Sequence, residues 1–129
     1  MFNRVISAAV NGIESKCVLV EADVSDGLPM FSMVGYLASE VREAQDRVRT
    51  ALRNSGYALP PKHITVNLAP GDIRKSGTRF DLPIAAAVMA SYGYLPQKSL
   101  DGIFFAGVLV LDGSVQGIHG NLSMGIGGR

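Results

Sequence analysis

Tryptophan is missing from this sequence, cysteine and histidine are nearly so, and only 7% of the residues are aromatic. A single cysteine excludes an internal disulfide and fits a reducing compartment. Cys17 reads as a small buried hydrophobe in a strand rather than a reactive thiol. His63 and His119 lie far apart, and neither belongs to a cluster of cysteines or histidines at ligand spacing, so no metal site is expected. Long apolar runs are lacking too. No stretch approaches the roughly 18 residues a membrane helix needs, and the start MFNRVISAAVNG lacks the basic-then-apolar layout of a signal peptide. A cytoplasmic protein without membrane contact is the expectation. Charge of either sign is not in excess: Lys and Arg total 12, Asp and Glu 11, for a net +1. That excludes a global pull toward nucleic acid, so any basic site must be local.

What is present is enough apolar matter for one core. Hydrophobic residues make up 47% of a chain of 129, which suits one domain. Residues 4–10 are largely apolar with few breakers and run into Asn11-Gly12, a hairpin signal because both residues tolerate positive φ. In the return strand Val18, Val20, Ala22 and Val24 share a face, with Glu21 and Asp23 alternating. Ser25-Asp26-Gly27 and Pro29 make a turn before a third short strand at 30–34. The simplest reading is a meander of three antiparallel strands.

Residues 38–54 carry the clearest helical pattern. Val41, Ala44, Val48, Ala51 and Leu52 recur on one face, Ser39 is placed to cap the start, and Gly56 to stop the end. Glu43 stands four residues before Arg47, a favourable spacing. The arginines of this helix invite a DNA-contact reading, but acids interleave with them and favour a solvated face. After the rigid Pro60-Pro61, Ile64, Val66 and Leu68 alternate with His63, Thr65 and Asn67 as in a strand. Asp81 can cap a second helix, with Pro83 in its first turn. Residues 85–90 are apolar all round, which requires burial between layers. Residues 103–111 read as a central strand, and Asp112-Gly113 as a second hairpin turn. Together these elements specify an α+β two-layer sandwich, a mixed sheet carrying two main helices.

Packing does not account for the loop between the 63–69 strand and the second helix, which holds Arg74, Lys75 and Arg79. With Gly71 and Gly77 opening the backbone ahead of a helix start, these cations form a candidate phosphate or DNA contact, or a subunit interface. Asp72 and Asp81 offset part of the charge. GDIRKSG at 71–77 resembles an ATP-binding loop in composition only, because Lys75-Ser76 precedes the second glycine instead of following it. Arg42, Arg49 and Asn67 are secondary candidates. No catalytic, cofactor or metal residue is assigned.

Several strings extend this reading. The Val-x-Glu-x-x-x-Arg-Val-Arg pattern at 41–49, Asn54-Ser55-Gly56, ITVNLAP at 64–70 and FDLPIA at 80–85 occur in the same order in one family. The chain resembles the N-terminal domain of the ComM/YifB family of magnesium-chelatase-like AAA+ ATPases. The resemblance implies a Lon-protease-like fold, of the ribosomal protein S-five domain-two type. It further implies an accessory domain of a hexameric motor that acts on DNA in branch migration and natural transformation. On that basis residues 1–120 form the domain, 121–129 a glycine-rich tail at a truncation point, and ATP and magnesium belong to a motor lying beyond this chain. DNA and further copies of the chain are the implied partners; an oligomerisation or regulatory module of a chelatase-like motor is the alternative. Lon-type proteases carry a serine at the start of the corresponding helix. Aligned on Gly77, that place holds Arg79, which cannot serve as the nucleophile. This loop also departs from many relatives in having Ser76 before the glycine and Thr78-Arg79 after it.

Overall fold

The computed structural model describes residues 2–11, 14–77, 79–96, 98, 107–109 and 115–117. Strand β1 (Phe2–Asn11) and strand β2 (Glu14–Ser25) pair antiparallel, with Asn11 opposite Glu14, the register of a tight hairpin. Their alternation decides what faces the core. Asn3, Val5 and Ser7 from β1 are buried, as are Val18, Val20, Ala22 and Val24 from β2. Cys17 falls in the opposite phase to Val18 and is exposed, so it is not the buried hydrophobe expected of it.

The expected meander does not form. Strand β3 (Met30–Val34) skips β2 and pairs parallel with strand β4 (His63–Ala69), which lies antiparallel to β2, so the order is β1-β2-β4-β3. Parallel neighbours need a crossover of a dozen residues or more, and residues 35–62, which contain the first two helices, supply it. The turn at 26–29 is thus a step across the sheet. Gly35, at the end of β3, has φ of 135°, and a Cβ there would stand 2.8 Å from the Leu68 carbonyl oxygen. Only glycine permits this approach between neighbouring backbones.

The helical segment is broken where a single helix was expected. Helix α1 spans Ser39–Arg42 and helix α2 Ala44–Asn54. In an unbroken helix the Glu40 carbonyl would accept from the amide of residue 44; here it accepts from Nη2 of Arg47 at 2.6 Å. A side chain inserted into the ladder in this way is a recognised cause of a break. Neither Ser39 nor Asp81 caps a helix with its side chain. Ser39 is the first helical residue, after Ala38.

Helix α3 (Asp81–Ser91) is buried along its whole length. It packs on β1 and β2 and against α2. Its alanines allow that close packing, and the core runs from Val5 through Val20, Val48, Leu52 and Leu68 to Leu82 and Met89. A short buried hydrogen-bond chain joins the layers: Asn3 Nδ2 donates to Ser91 Oγ at 3.4 Å, and Ser91 Oγ to the Ala22 carbonyl at 3.0 Å. Strands β5 (Gly107–Leu109) and β6 (Val115–Gly117) pair with each other in a separate two-stranded sheet. The turn at Asp112-Gly113, the remainder of 103–111 and the tail at 121–129 lie outside the described residues. The described chain is therefore a mixed α+β two-layer structure. Among the described residues no helix is long and apolar enough to cross a membrane.

Candidate functional site

The loop from residue 70 to residue 80 follows β4 and leads into α3, as its sequence position requires. Its local fold begins at a cis peptide between Ala69 and Pro70. Backbone bonds then stitch its middle to the segment before α1: Lys75 N–H donates to the Tyr36 carbonyl at 2.9 Å, and Ala38 N–H to the Lys75 carbonyl at 2.9 Å. Gly77 N–H donates to Glu40 Oε1 at 3.2 Å. Bonds from its own amide and from Gly77 hold the Glu40 carboxyl below its usual pKa. The loop is therefore latched at its middle, through Lys75 and Gly77, to the start of the helical layer.

This latching separates the three cations that sequence placed together. Arg74 is exposed and Arg79 half-buried. Lys75 is fully buried, and its amine donates to the Pro70 carbonyl. Burial pushes the Lys75 amine below its ordinary pKa, opposed only by Asp72. An enclosed amine bound to a backbone carbonyl offers nothing to a phosphate outside. The basic face of the loop in this structure is Arg74 with the partly covered Arg79, not a triad.

Beside the loop lies a feature invisible in sequence. Arg47 reaches from α2 to Asp81 at the start of α3 and grips it bidentately, Nε to Oδ2 at 2.7 Å and Nη2 to Oδ1 at 2.9 Å. Asp81 is only 1% exposed. Burial drives its carboxyl pKa up against the pull of the guanidinium, while the hydrogen bond to Asp81 raises that of Arg47. The favourable Glu43–Arg47 spacing is thus overridden, with Glu43 acting on Arg47 only at a distance. The fork geometry of a guanidinium explains why Arg47 can serve Asp81 and the Glu40 carbonyl together.

The secondary candidates are dispersed. Arg42 is exposed and donates to the Met33 carbonyl at 3.3 Å. Asn67 donates across the sheet to Glu21 Oε1 at 3.1 Å. Arg49 stands over the Phe31 ring, 5.4 Å from its centroid, and also lines a cleft of about 320 Å³ at the far end of α2. Arg53 and Lys62 share that cleft with Tyr57 and Tyr92. Arg53 had no signal beyond its place at a helix end, and Lys62 none at all. Among the described residues no group of three His, Cys, Asp or Glu is arranged to hold a metal ion.

Comparison with known proteins covers nearly the whole chain. Residues 20–129 match the family described as subunit ChlI of Mg-chelatase. The chain belongs to the ChlI family. Within it, the sequence groups with YifB and ComM. It is 45% identical to YifB of Escherichia coli over 115 residues, covering 89% of this chain and 23% of that protein. It is 45% identical to competence protein ComM of Haemophilus influenzae over 116 residues, covering 90% of this chain and 23% of ComM. The chain thus spans about a quarter of the length of these relatives.

Proposed function

We propose that this chain is a non-catalytic, Lon-protease-like N-terminal accessory domain of a chelatase-like AAA+ ATPase that acts on DNA. In this reading ATP and magnesium are handled by a motor outside the chain. The domain contributes a DNA or subunit contact through the 70–80 loop. The observation that carries the reading is the latched loop itself: Arg74 is held outward on a segment fixed by Lys75, Ala38 and Glu40. A contact residue on a fixed loop loses little conformational freedom on binding. Against a peptidase role, the Lys75 amine is engaged by the Pro70 carbonyl, and the resemblance to Lon-type proteases would put Arg79 where their nucleophile stands.

Subunit contact has a specific observation of its own. The edge strand β3 exposes Met30 and Val34, each 47% accessible, with Tyr36 beside them at 53%. Exposed apolar groups along a sheet edge suit burial against another chain. Titration of duplex and branched DNA against salt tests the first contact. Arg74→Ala with Arg79→Ala is expected to weaken binding and to reduce the salt slope by about two, one per lost phosphate contact. An unchanged slope refutes DNA contact by the loop. Light scattering on Val34→Asp tests the second, since a real interface predicts a loss of assembly.

A further inference from the structure

At the end of α2 remote from the loop, the cleft described above combines three kinds of surface. Arg49 and Arg53, one helical turn apart, and Lys62 across from them give it three cations, and among the described residues no carboxylate lines it. Tyr57 and Tyr92 supply rings, and Ile64 and Met30 apolar surface. None of these cations is needed to neutralise a buried acid. The Arg53 side chain has no hydrogen bond or ion pair with any described residue. Arg49 rests on the Phe31 ring. Lys62 pairs at 2.8 Å with Asp26, whose side chain is 95% exposed and can swing away in favour of another anion.

The tyrosines are fixed before any ligand arrives. Tyr92 donates its hydroxyl to the Pro60 carbonyl at 2.8 Å, and Tyr94 donates to the Ala58 carbonyl. Tyr94 stacks with Tyr92 and meets the edge of Tyr57, with centroids 6.5 and 5.1 Å apart. With its hydroxyl engaged, Tyr92 offers a ligand its ring rather than a donor. An extended peptide finds few partners here: Pro60 and Pro61 have no N–H, the Ala58 and Pro60 carbonyls are taken, and the Met30 amide already bonds the Lys62 carbonyl. A ligand with a flat ring and a phosphate fits all three surfaces. Stacking on aromatic side chains beside a row of cations is also how sequence-tolerant binding of single strands is achieved.

We infer that this cleft binds a nucleoside phosphate, its base on the tyrosine side and its phosphate among Arg49, Arg53 and Lys62. The volume of about 320 Å³ falls at the lower end of the range for small-ligand sites. The nucleoside phosphate can be a free nucleotide or one unit of a single strand. Binding of AMP, fluorescein-labelled oligothymidylate, an abasic oligonucleotide and inorganic phosphate to the 129-residue chain at low salt separates these sources. AMP binding indicates a free nucleotide, and oligothymidylate binding without AMP indicates a strand; either outcome supports the site. Arg53→Glu with Lys62→Glu is expected to weaken the bound probe about tenfold or more, and the milder Arg53→Gln with Lys62→Gln to act in the same direction. The abasic probe is expected to bind roughly fivefold or more weakly than oligothymidylate. Failure of both AMP and oligothymidylate to bind overturns the inference. So does equal binding of base-free probes, or an affinity unmoved by the Arg53 and Lys62 changes. Arg74→Ala with Arg79→Ala, measured alongside, shows separately whether the loop contributes, so loss of one site is not mistaken for loss of the other.

Discussion

Helix α2 has 11 residues and is about 16 Å long, and its two ends use positive charge in opposite ways. Near its start, Arg47 is turned inward onto Asp81, and Lys75 from the adjoining loop is enclosed against the Pro70 carbonyl. At its end, Arg53 and Lys62 stand in an open cleft beside tyrosines already held by other bonds. The first set is enclosed within the fold and tied to protein partners, whereas the second is not required by the fold. A count of cations in a loop therefore says little about binding until their burial is known.

The largest effect that breaks the comparison is expected from Arg47→Ala. It leaves the Asp81 carboxylate buried without its partner and should destabilise the chain by about 3 kcal/mol. Urea unfolding measures this, and adding Asp81→Ala should recover part of the loss, because the buried charge then disappears as well. Gly35→Ala comes next. Its φ of 135° and its approach to the Leu68 carbonyl predict a loss of about 2 kcal/mol in the same assay.

A smaller effect, of opposite sign, is expected from Lys75→Met. Burial lowers the Lys75 pKa in the folded state, so the unfolded chain holds that proton more tightly. The contribution of Lys75 to stability is therefore present above its unfolded value of 10.5 and lost as pH falls through the lowered folded value. At neutral pH its replacement by methionine should be neutral or stabilising by up to about 1 kcal/mol. Melts in a pH series should show that gain shrinking as the pH approaches 10.5. The smallest effect on folding is expected from Arg53→Glu with Lys62→Glu. Thermal melting should not move, because the Arg53 side chain is exposed and bonds to no described residue and the Lys62 side chain bonds only the exposed Asp26.

Much of this architecture was legible because it follows from alternation and amphipathy. The phase of Ile64, Val66 and Leu68 gives β4, and the all-round apolar run gives a buried α3. The same phase rule, applied one residue earlier than Val18, would have put Cys17 outside. Other features depend on partners distant in sequence. No local pattern says that β4 separates β2 from β3, since a turn at 26–29 serves a hairpin or a crossing equally well. Arg47 meets Asp81 34 positions away and occupies the carboxylate expected to cap α3, and the same guanidinium takes the Glu40 carbonyl where the first helix breaks. Lys75 and Arg74 are adjacent cations in one loop, and only the backbone bonds to Tyr36 and Ala38 determine which of them turns inward. The cleft gathers residues from β3, α2, the 57–62 segment and the end of α3, so its charges are scattered in sequence.

The contrast between inward and outward cations is tested most directly by measuring oligothymidylate affinity at low salt for two variants side by side. Lys75→Met should bind as the parent chain does, while Arg53→Glu with Lys62→Glu should bind about tenfold more weakly at an unchanged melting temperature. Loss of affinity on replacing Lys75, with none on reversing Arg53 and Lys62, would contradict the account.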